Sequence, residues 1–431
     1  MKWRGRGREG GVSGKRATIY GQLAIVMALV LGIVVGVLLA TVREAKAIPA
    51  WARKYNADCA MCHYPVVPRL NSFGHQFRRA GYRTPDEFNK EQDVSKVGDF
   101  LAVRARVRFG YENKEGGIER SEFTLNDATF FYAGALTKNF SAFVESEIES
   151  TGDIELVGQL QGVFGSSDRY VSIRGGQMHP LQRMGFGGFD RPTGISTNPL
   201  HSTTLTRAGT ISGANFALNK DQKGIEVAYV QGRARLLGQV LNGLNQDGSG
   251  TATKGDTDPQ KDYLVAYEHI LDDIASGFTL FYYNGTYHGV ASASAISQRY
   301  DYSRFGVNAN KIFPVGFGFF ELQGGFIRSY DNVPSSVGTD VQGNAFYVES
   351  QQVFKDTWLT FIERYALIEQ DVPRKNTRRQ DYTLGAVMPV QTWLRAAAEY
   401  TYSDNRAETV PGTALTGTSS HSALLELMAN W

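Results

Sequence analysis

The feature that most constrains this chain is a period-two alternation of apolar and polar residues that starts near Val97 and runs to Trp431. From Leu101 to Phe109 the odd positions are apolar, while Arg104, Arg106 and Arg108 share the other face. From Phe140 to Glu149, Phe140, Ala142, Val144 and Ile148 fall on one side and Glu145, Glu147 and Glu149 on the other. Successive side chains of a strand point to opposite faces, so such a stretch is stable only as a strand between unlike environments. Similar segments lie near 121–135, 154–164, 169–178, 222–231, 233–242, 261–270, 276–287, 302–312, 317–330, 343–353, 356–366, 379–389, 392–403 and 420–431, with Gly, Asn, Asp and Ser between them. The count is about 16, an even number, as bacterial single-chain barrels require.

A soluble antiparallel sheet alternates as well. Three features favour a membrane barrel over a β-sandwich or propeller. Aromatic residues are plentiful (21 Tyr, 25 Phe) and cluster as Phe130-Phe131-Tyr132 and Phe281-Tyr282-Tyr283, as an interfacial girdle requires. The chain ends Ala423-Leu424-Leu425-Glu426-Leu427-Met428-Ala429-Asn430-Trp431, an apolar alternation closed by an aromatic residue that resembles the assembly signal of outer-membrane proteins. No long apolar run occurs after residue 40, so a membrane crossing has to be made by a closed barrel.

The front of the chain is different. Residues 1–47 hold eight of the 45 Lys/Arg and two of the 43 Asp/Glu. A basic start, an apolar run from Leu23 to Ala40 and then Ala45-Lys46-Ala47 form a Sec-type signal peptide with an A-x-A site, giving a mature start at Ile48. The competing reading is an uncleaved anchor helix, since that run is just long enough to span a bilayer. Either way the chain is exported. The near-neutral charge balance gives no basis for a nucleic-acid partner.

Cys59-Ala60-Met61-Cys62-His63 holds the only two cysteines of the 431 residues. C-x-x-C-H is the attachment signature of a c-type haem. The two thiols add to the two porphyrin vinyl groups, and the following histidine is placed under the iron. A disulfide or thioredoxin-like pair needs no such histidine, and no βαβ pattern surrounds the motif. The expected cofactor is one covalently bound haem c on Cys59 and Cys62, with His63 as proximal iron ligand.

Around the motif, Trp51 to His63 reads as a helix stopped by Pro65 and Pro68. Leu70, Phe73, Phe77 and Tyr82 recur at helical spacing and end at Gly81, with Leu70, Phe73 and Phe77 expected to pack on the macrocycle. Spacing leaves the sixth ligand open. His75, 12 residues after His63, is the nearest candidate and reads equally well as a surface residue of the second helix; Met178 and His179 are others. A segment this short cannot build its own core and has to dock onto or into something larger.

Two stretches do not alternate. Pro180 to Thr210 is rich in Gly and Pro and reads as an external loop or one folded into the lumen. Gln246 to Gln260 is rich in Gly, Thr and Asp. Its vicinity carries Asp247, Asp256, Asp258 and Asp262, which read as a solvated turn rather than a Ca²⁺ or Fe²⁺ site because EF-hand spacing is lacking.

The runs Ile48-Pro49-Ala50-Trp51-Ala52-Arg53-Lys54-Tyr55, Cys59 to His63, Leu70-Asn71-Ser72-Phe73-Gly74 and Gly81-Tyr82-Arg83 together resemble the start of the fused monohaem cytochrome–porins of the bacterial outer membrane. The best-known members of that family are iron-oxidising outer-membrane cytochromes. The resemblance implies a haem segment followed by a barrel, and electron transfer between extracellular and periplasmic partners.

The expected fold class is therefore all-β: a transmembrane antiparallel β-barrel with a short N-terminal α-helical c-type haem segment. The domains expected are 1–47 signal peptide, 48–96 monohaem segment and 97–431 porin-like barrel. The expected partners are an extracellular electron donor or acceptor such as Fe²⁺, a periplasmic c-type cytochrome or other soluble redox protein, and outer-membrane lipid. No Ser-His-Asp arrangement, zinc set or phosphate loop is present in the sequence, so the chain is an enzyme only in the sense of a metal oxidoreductase. The alternatives are a diffusion porin plugged by its N-terminal segment, and an inner-membrane-anchored periplasmic cytochrome with a soluble β-domain.

Overall fold

The computed structural model describes residues 50–431 apart from 66–68, 179, 181–193, 197–199, 201–217, 219–221, 244–259, 291–296, 333–339, 370–377 and 408–415. These residues belong to one unit, Ile48–Trp431. The signal segment and its A-x-A site, His179, Asp247, Asp256 and Asp258 lie outside the described residues.

Sixteen antiparallel strands close into one barrel. They are β1 Leu101–Lys114, β2 Arg120–Ala135, β3 Phe140–Glu149, β4 Ile154–Gly165, β5 Arg169–Met178, β6 Gln222–Gln231, β7 Ala234–Leu241 and β8 Asp262–Ile270, then β9 Gly277–Val290, β10 Ser297–Val315, β11 Gly318–Asn332, β12 Val341–Phe354, β13 Thr360–Glu369, β14 Arg378–Gln391, β15 Leu394–Ala407 and β16 Thr416–Asn430. Each pairs with its sequence neighbours, and β1 returns to β16 with Arg104 opposite Asn430. Trp431 completes the closure: its amide donates to the Val103 carbonyl (2.9 Å) and its carbonyl accepts from the Val103 amide (2.7 Å).

One end of the barrel carries only short turns, at 136–139, 166–168, 232–233, 271–276, 316–317, 355–359 and 392–393, while the opposite end carries the two longest connections, 179–221 and 242–261, beside short ones at 115–119 and 150–153. Bacterial barrels direct their short turns to the periplasm.

The alternation has the expected cause. Leu125, Leu156, Leu160, Ile173, Ile225, Val265, Leu384 and Leu427 point outward and are exposed in the isolated chain. Phe140, Phe164, Phe313, Phe317 and Phe361 ring the short-turn end, and Tyr263, Tyr330 and Tyr382 ring the other. A soluble β-domain would leave this belt in water, where it has no stable partner. The inferred girdle triplets are divided by the pleat. Phe130 and Tyr282 face out, but Phe281 and Tyr283 are fully buried inside.

The inner wall is laced with ion pairs. Arg104 reaches Glu147 (2.9 Å), Arg106 pairs with Asp127, and Arg108 and Arg395 both reach Glu426. Arg174 and Arg235 share Glu226, and Arg304 pairs with Asp331 and Arg364 with Glu349. One sector is apolar instead. Met178, Leu237, Leu264, Phe281, Tyr283, Ile327, Tyr347 and Ile368 form a buried cluster with Leu200 and Leu218 of the long β5–β6 connection. The described residues of that connection fold into the lumen: Ile195 and Ser196 donate their amides to the Glu399 carboxylate.

Candidate functional site

The segment from Ala50 to Asp99 lies inside the short-turn end of the barrel and is built from two short helices and three 3-10 turns. α1 (Ala50–Tyr55) ends where Asn56 turns to φ 48°, a left-handed conformation that Asn tolerates better than most residues. Asp58 then caps a separate 3-10 turn, Cys59–Met61. The single helix expected from Trp51 to His63 is thus two elements, divided by a backbone reversal that apolar spacing does not reveal. α2 (Ser72–Arg79) closes at Gly81 (φ 66°), as the sequence indicated.

The C-x-x-C-H turn is clamped by α2. Asn71 caps the helix, its Oδ1 accepting from the Gly74 amide (2.9 Å). Its Nδ2 donates to the carbonyls of Ala60 and Met61, both at 3.0 Å. Its own amide donates to the Cys62 carbonyl (2.9 Å). A Cβ on Gly74 would come within 2.2 Å of that same Cys62 oxygen, so only glycine permits this approach.

Neither cysteine is in a disulfide. Cys59 Sγ lies 3.4 Å from the Thr392 carbonyl in the β14–β15 turn, so the motif borders the mouth. Burial, then Asp58, raises the Cys59 thiol pKa, and burial with the adjacent Cys59 pushes Cys62 from 9.0 up to about 11. A reactive dithiol has its pKa lowered, so this environment disfavours thioredoxin-like chemistry. In haem-free protein at pH 8, Cys62 should alkylate on the order of a hundredfold more slowly than in the urea-unfolded chain, matching its smaller thiolate fraction. Iodoacetamide labelling followed by peptide mass spectrometry measures this; equal rates would contradict it.

His63 is oriented by Arg69. Its Nδ1 lies 2.9 Å from the Arg69 carbonyl oxygen. That oxygen can only accept, so Nδ1 carries the proton and Nε2 carries the metal-binding lone pair. A histidine that ligates a metal characteristically makes such a bond through its other nitrogen. Two thiols on one turn followed by a histidine in this tautomer fit a covalent haem.

The other candidate residues separate into two groups. Leu70 forms a β-bridge with His63 and its side chain lies beside Gly74. Phe77 is buried in an aromatic cluster, with Trp51 5.5 Å and Tyr55 5.7 Å away, and Ala133 of the wall behind it. Phe73 stacks on Phe77 at 6.2 Å. His75 is two positions from each, on the opposite side of a helix with 3.6 residues per turn. It is buried, and desolvation together with Arg78, Arg79, Arg69 and Arg235 holds its pKa well below 6.5. The surface reading of His75 does not hold, and His75 and the Phe73–Phe77 pair occupy opposite faces of the helix. Met178 lies at the loop end of β5, remote from the motif at the short-turn mouth. Asp262 is a wall residue that accepts from Tyr302 (2.6 Å) and Tyr283.

The segment is tied to the wall by residues that sequence periodicity did not single out. Arg69 pairs with Glu321 and donates to Gln351 (3.2 Å), Arg79 pairs with Glu268 (3.1 Å), and Arg83 donates to the Thr137 and Phe140 carbonyls. Tyr64 packs edge-on against Phe319 and Trp358. A polar chain continues from Arg69 through Gln351, Glu349 and Arg364 to Ser196 and Glu399. Asn71 carried a usable signal, a capping residue directly before a periodic run. The arginines carried none, because their partners lie 54 to 282 residues away.

No protein-family model matches the chain, and no curated protein does. Solved structures with a similar fold include the anion-selective porin from Comamonas acidovorans, at TM-score 0.53 and 15% identity over 77% of this chain and 98% of that one. Another is OprB of Pseudomonas putida in its high-pH structure, at TM-score 0.52 and 10% identity over 77% of this chain and 93% of that one. The barrel has the fold of the outer-membrane porins.

Proposed function

We propose that this chain is a bacterial outer-membrane cytochrome–porin that carries one haem c on Cys59 and Cys62 and moves single electrons between an extracellular donor or acceptor and a periplasmic c-type cytochrome or other soluble redox protein. The observation that carries this reading is the His63–Arg69 hydrogen bond inside the only C-x-x-C-H motif. When bound, haem supplies a one-electron iron couple. The hydrocarbon core is about 30 Å thick and blocks electrons without a carrier. The chain's part is to hold that couple inside a closed wall. Cys59 and Cys62 anchor it, His63 ligates it, and Arg69, Arg79 and Arg83 fix the segment in the lumen. Fe²⁺ is the first extracellular donor to test.

A dithionite-reduced spectrum of the purified protein tests the reading. A c-type α-band supports it, and a featureless visible spectrum removes it. A second reading, a diffusion channel, draws on the fold shared with the anion-selective porin. The buried pairs of Arg69 and Arg79 argue against a continuously open lumen. Planar-bilayer recording separates the two, because a diffusion channel conducts without any change to the segment.

A further inference from the structure

We infer that Glu321 of the barrel wall, acting through Arg69, is a positioning residue for His63, so that the barrel itself tunes the haem iron. The inference rests on the haem reading above and extends it from the motif to the wall.

Arg69 does two things at once. Its backbone carbonyl accepts from His63 Nδ1 (2.9 Å) and from the Tyr64 amide (3.2 Å). Its guanidinium grips both oxygens of Glu321 and also donates to Gln351. Glu321 is fully buried on the inner face of β11 and is held in turn by Asn310 Nδ2 (2.9 Å). Beside His63, Tyr64 is wedged between Phe319 and Trp358. The backbones of Tyr64 and Arg69 bond each other within the segment, while the side chains of both are anchored on the barrel wall.

The consequence is electronic as well as steric. A hydrogen bond from Nδ1 to a fixed carbonyl raises the basicity of the ligating nitrogen, and a more basic ligand favours the ferric state. If the guanidinium loses its grip, the carbonyl loosens, His63 becomes a weaker donor and the reduced state gains.

The test uses full-length, haem-loaded protein purified from outer membranes. Spectroelectrochemical titration of Glu321→Gln should show at least a tenfold shift of the reduction equilibrium toward the ferrous form, 59 mV for one electron. Arg69→Gln should give the same shift, and the double variant no more than either alone, because both remove one interaction. Gln351→Ala, which leaves no buried charge behind, should give a smaller shift in the same direction and serves if the charge variants fail to assemble. Asp331→Asn breaks the wall pair with Arg304, away from the segment, and should leave the potential unchanged. An unshifted potential in Glu321→Gln or Gln351→Ala, or an equal shift in Asp331→Asn, overturns the inference alone. Wild-type protein with no covalent haem overturns the reading beneath it, and this inference with it.

Discussion

Replacing Cys59 and Cys62 by alanine will abolish covalent haem while the barrel still assembles. The chain has no other thiol, so no second thioether can substitute. The barrel closes through the backbone hydrogen bonds of the β1–β16 ladder, which involve no cysteine, and the described polar contact of Cys59 is a long one to the Thr392 carbonyl at 3.4 Å. Removing two half-buried thiols costs on the order of 1 kcal/mol, small against the closure of sixteen strands. Haem staining of a denaturing gel should fall from full signal to none, while the heat-dependent mobility shift of a folded barrel persists. Retained stain in the double variant would place haem attachment elsewhere.

The second large effect concerns the lumen. Arg69 and Arg79 each enter a buried ion pair with a wall glutamate, on β11 and β8 respectively. Removing Arg69 costs about 3–5 kcal/mol, because the buried Glu321 loses its described cation. Glu268 keeps Arg235 at 2.9 Å, so the loss of Arg79 costs less. With Arg69→Gln and Arg79→Gln together, both ion pairs that tie the segment to the wall are lost. The seated state should become the minor one, and planar bilayers should record stable ionic conductance where wild-type protein is closed. The β5–β6 connection still packs Leu200 and Leu218 on the inner wall, so the conductance should stay below that of an empty barrel. A double variant as tightly closed as wild type would mean that these pairs do not hold the plug.

Much of this architecture is written in the alternation. Arg104, Arg106 and Arg108 face inward and Leu101 and Val107 outward because lipid and lumen impose opposite demands on neighbouring residues. The inferred strand segments therefore recur in the barrel with small changes at their ends. Period two says which residues share a face but not which face is inside when both are apolar. Leu264, Ala266, Phe281 and Tyr283 line the lumen only because the β5–β6 connection covers them there.

Spacing singles out Cys59, Cys62 and His63 as candidates but says nothing of where they sit, which is at the short-turn mouth beside Thr392. Asn56, Asn71 and Gly74 shape the turn through a backbone reversal, a three-way hydrogen-bonded clamp and a close approach, none of which has a period. The placement of His75 on the arginine side of α2 follows from docking against β7 and β8, which a local reading of the helix cannot see.

The measurement that bears most directly on the central claim is electron transfer across a bilayer. Protein reconstituted in liposomes that enclose ferric cytochrome c is exposed to Fe²⁺, or to another reductant that does not cross lipid, added outside. The account predicts reduction of the enclosed cytochrome by haem-loaded wild type and none by the Cys59→Ala/Cys62→Ala variant. Haem-loaded wild type that passes no electrons with any such reductant, or equal rates in both proteins, would contradict it.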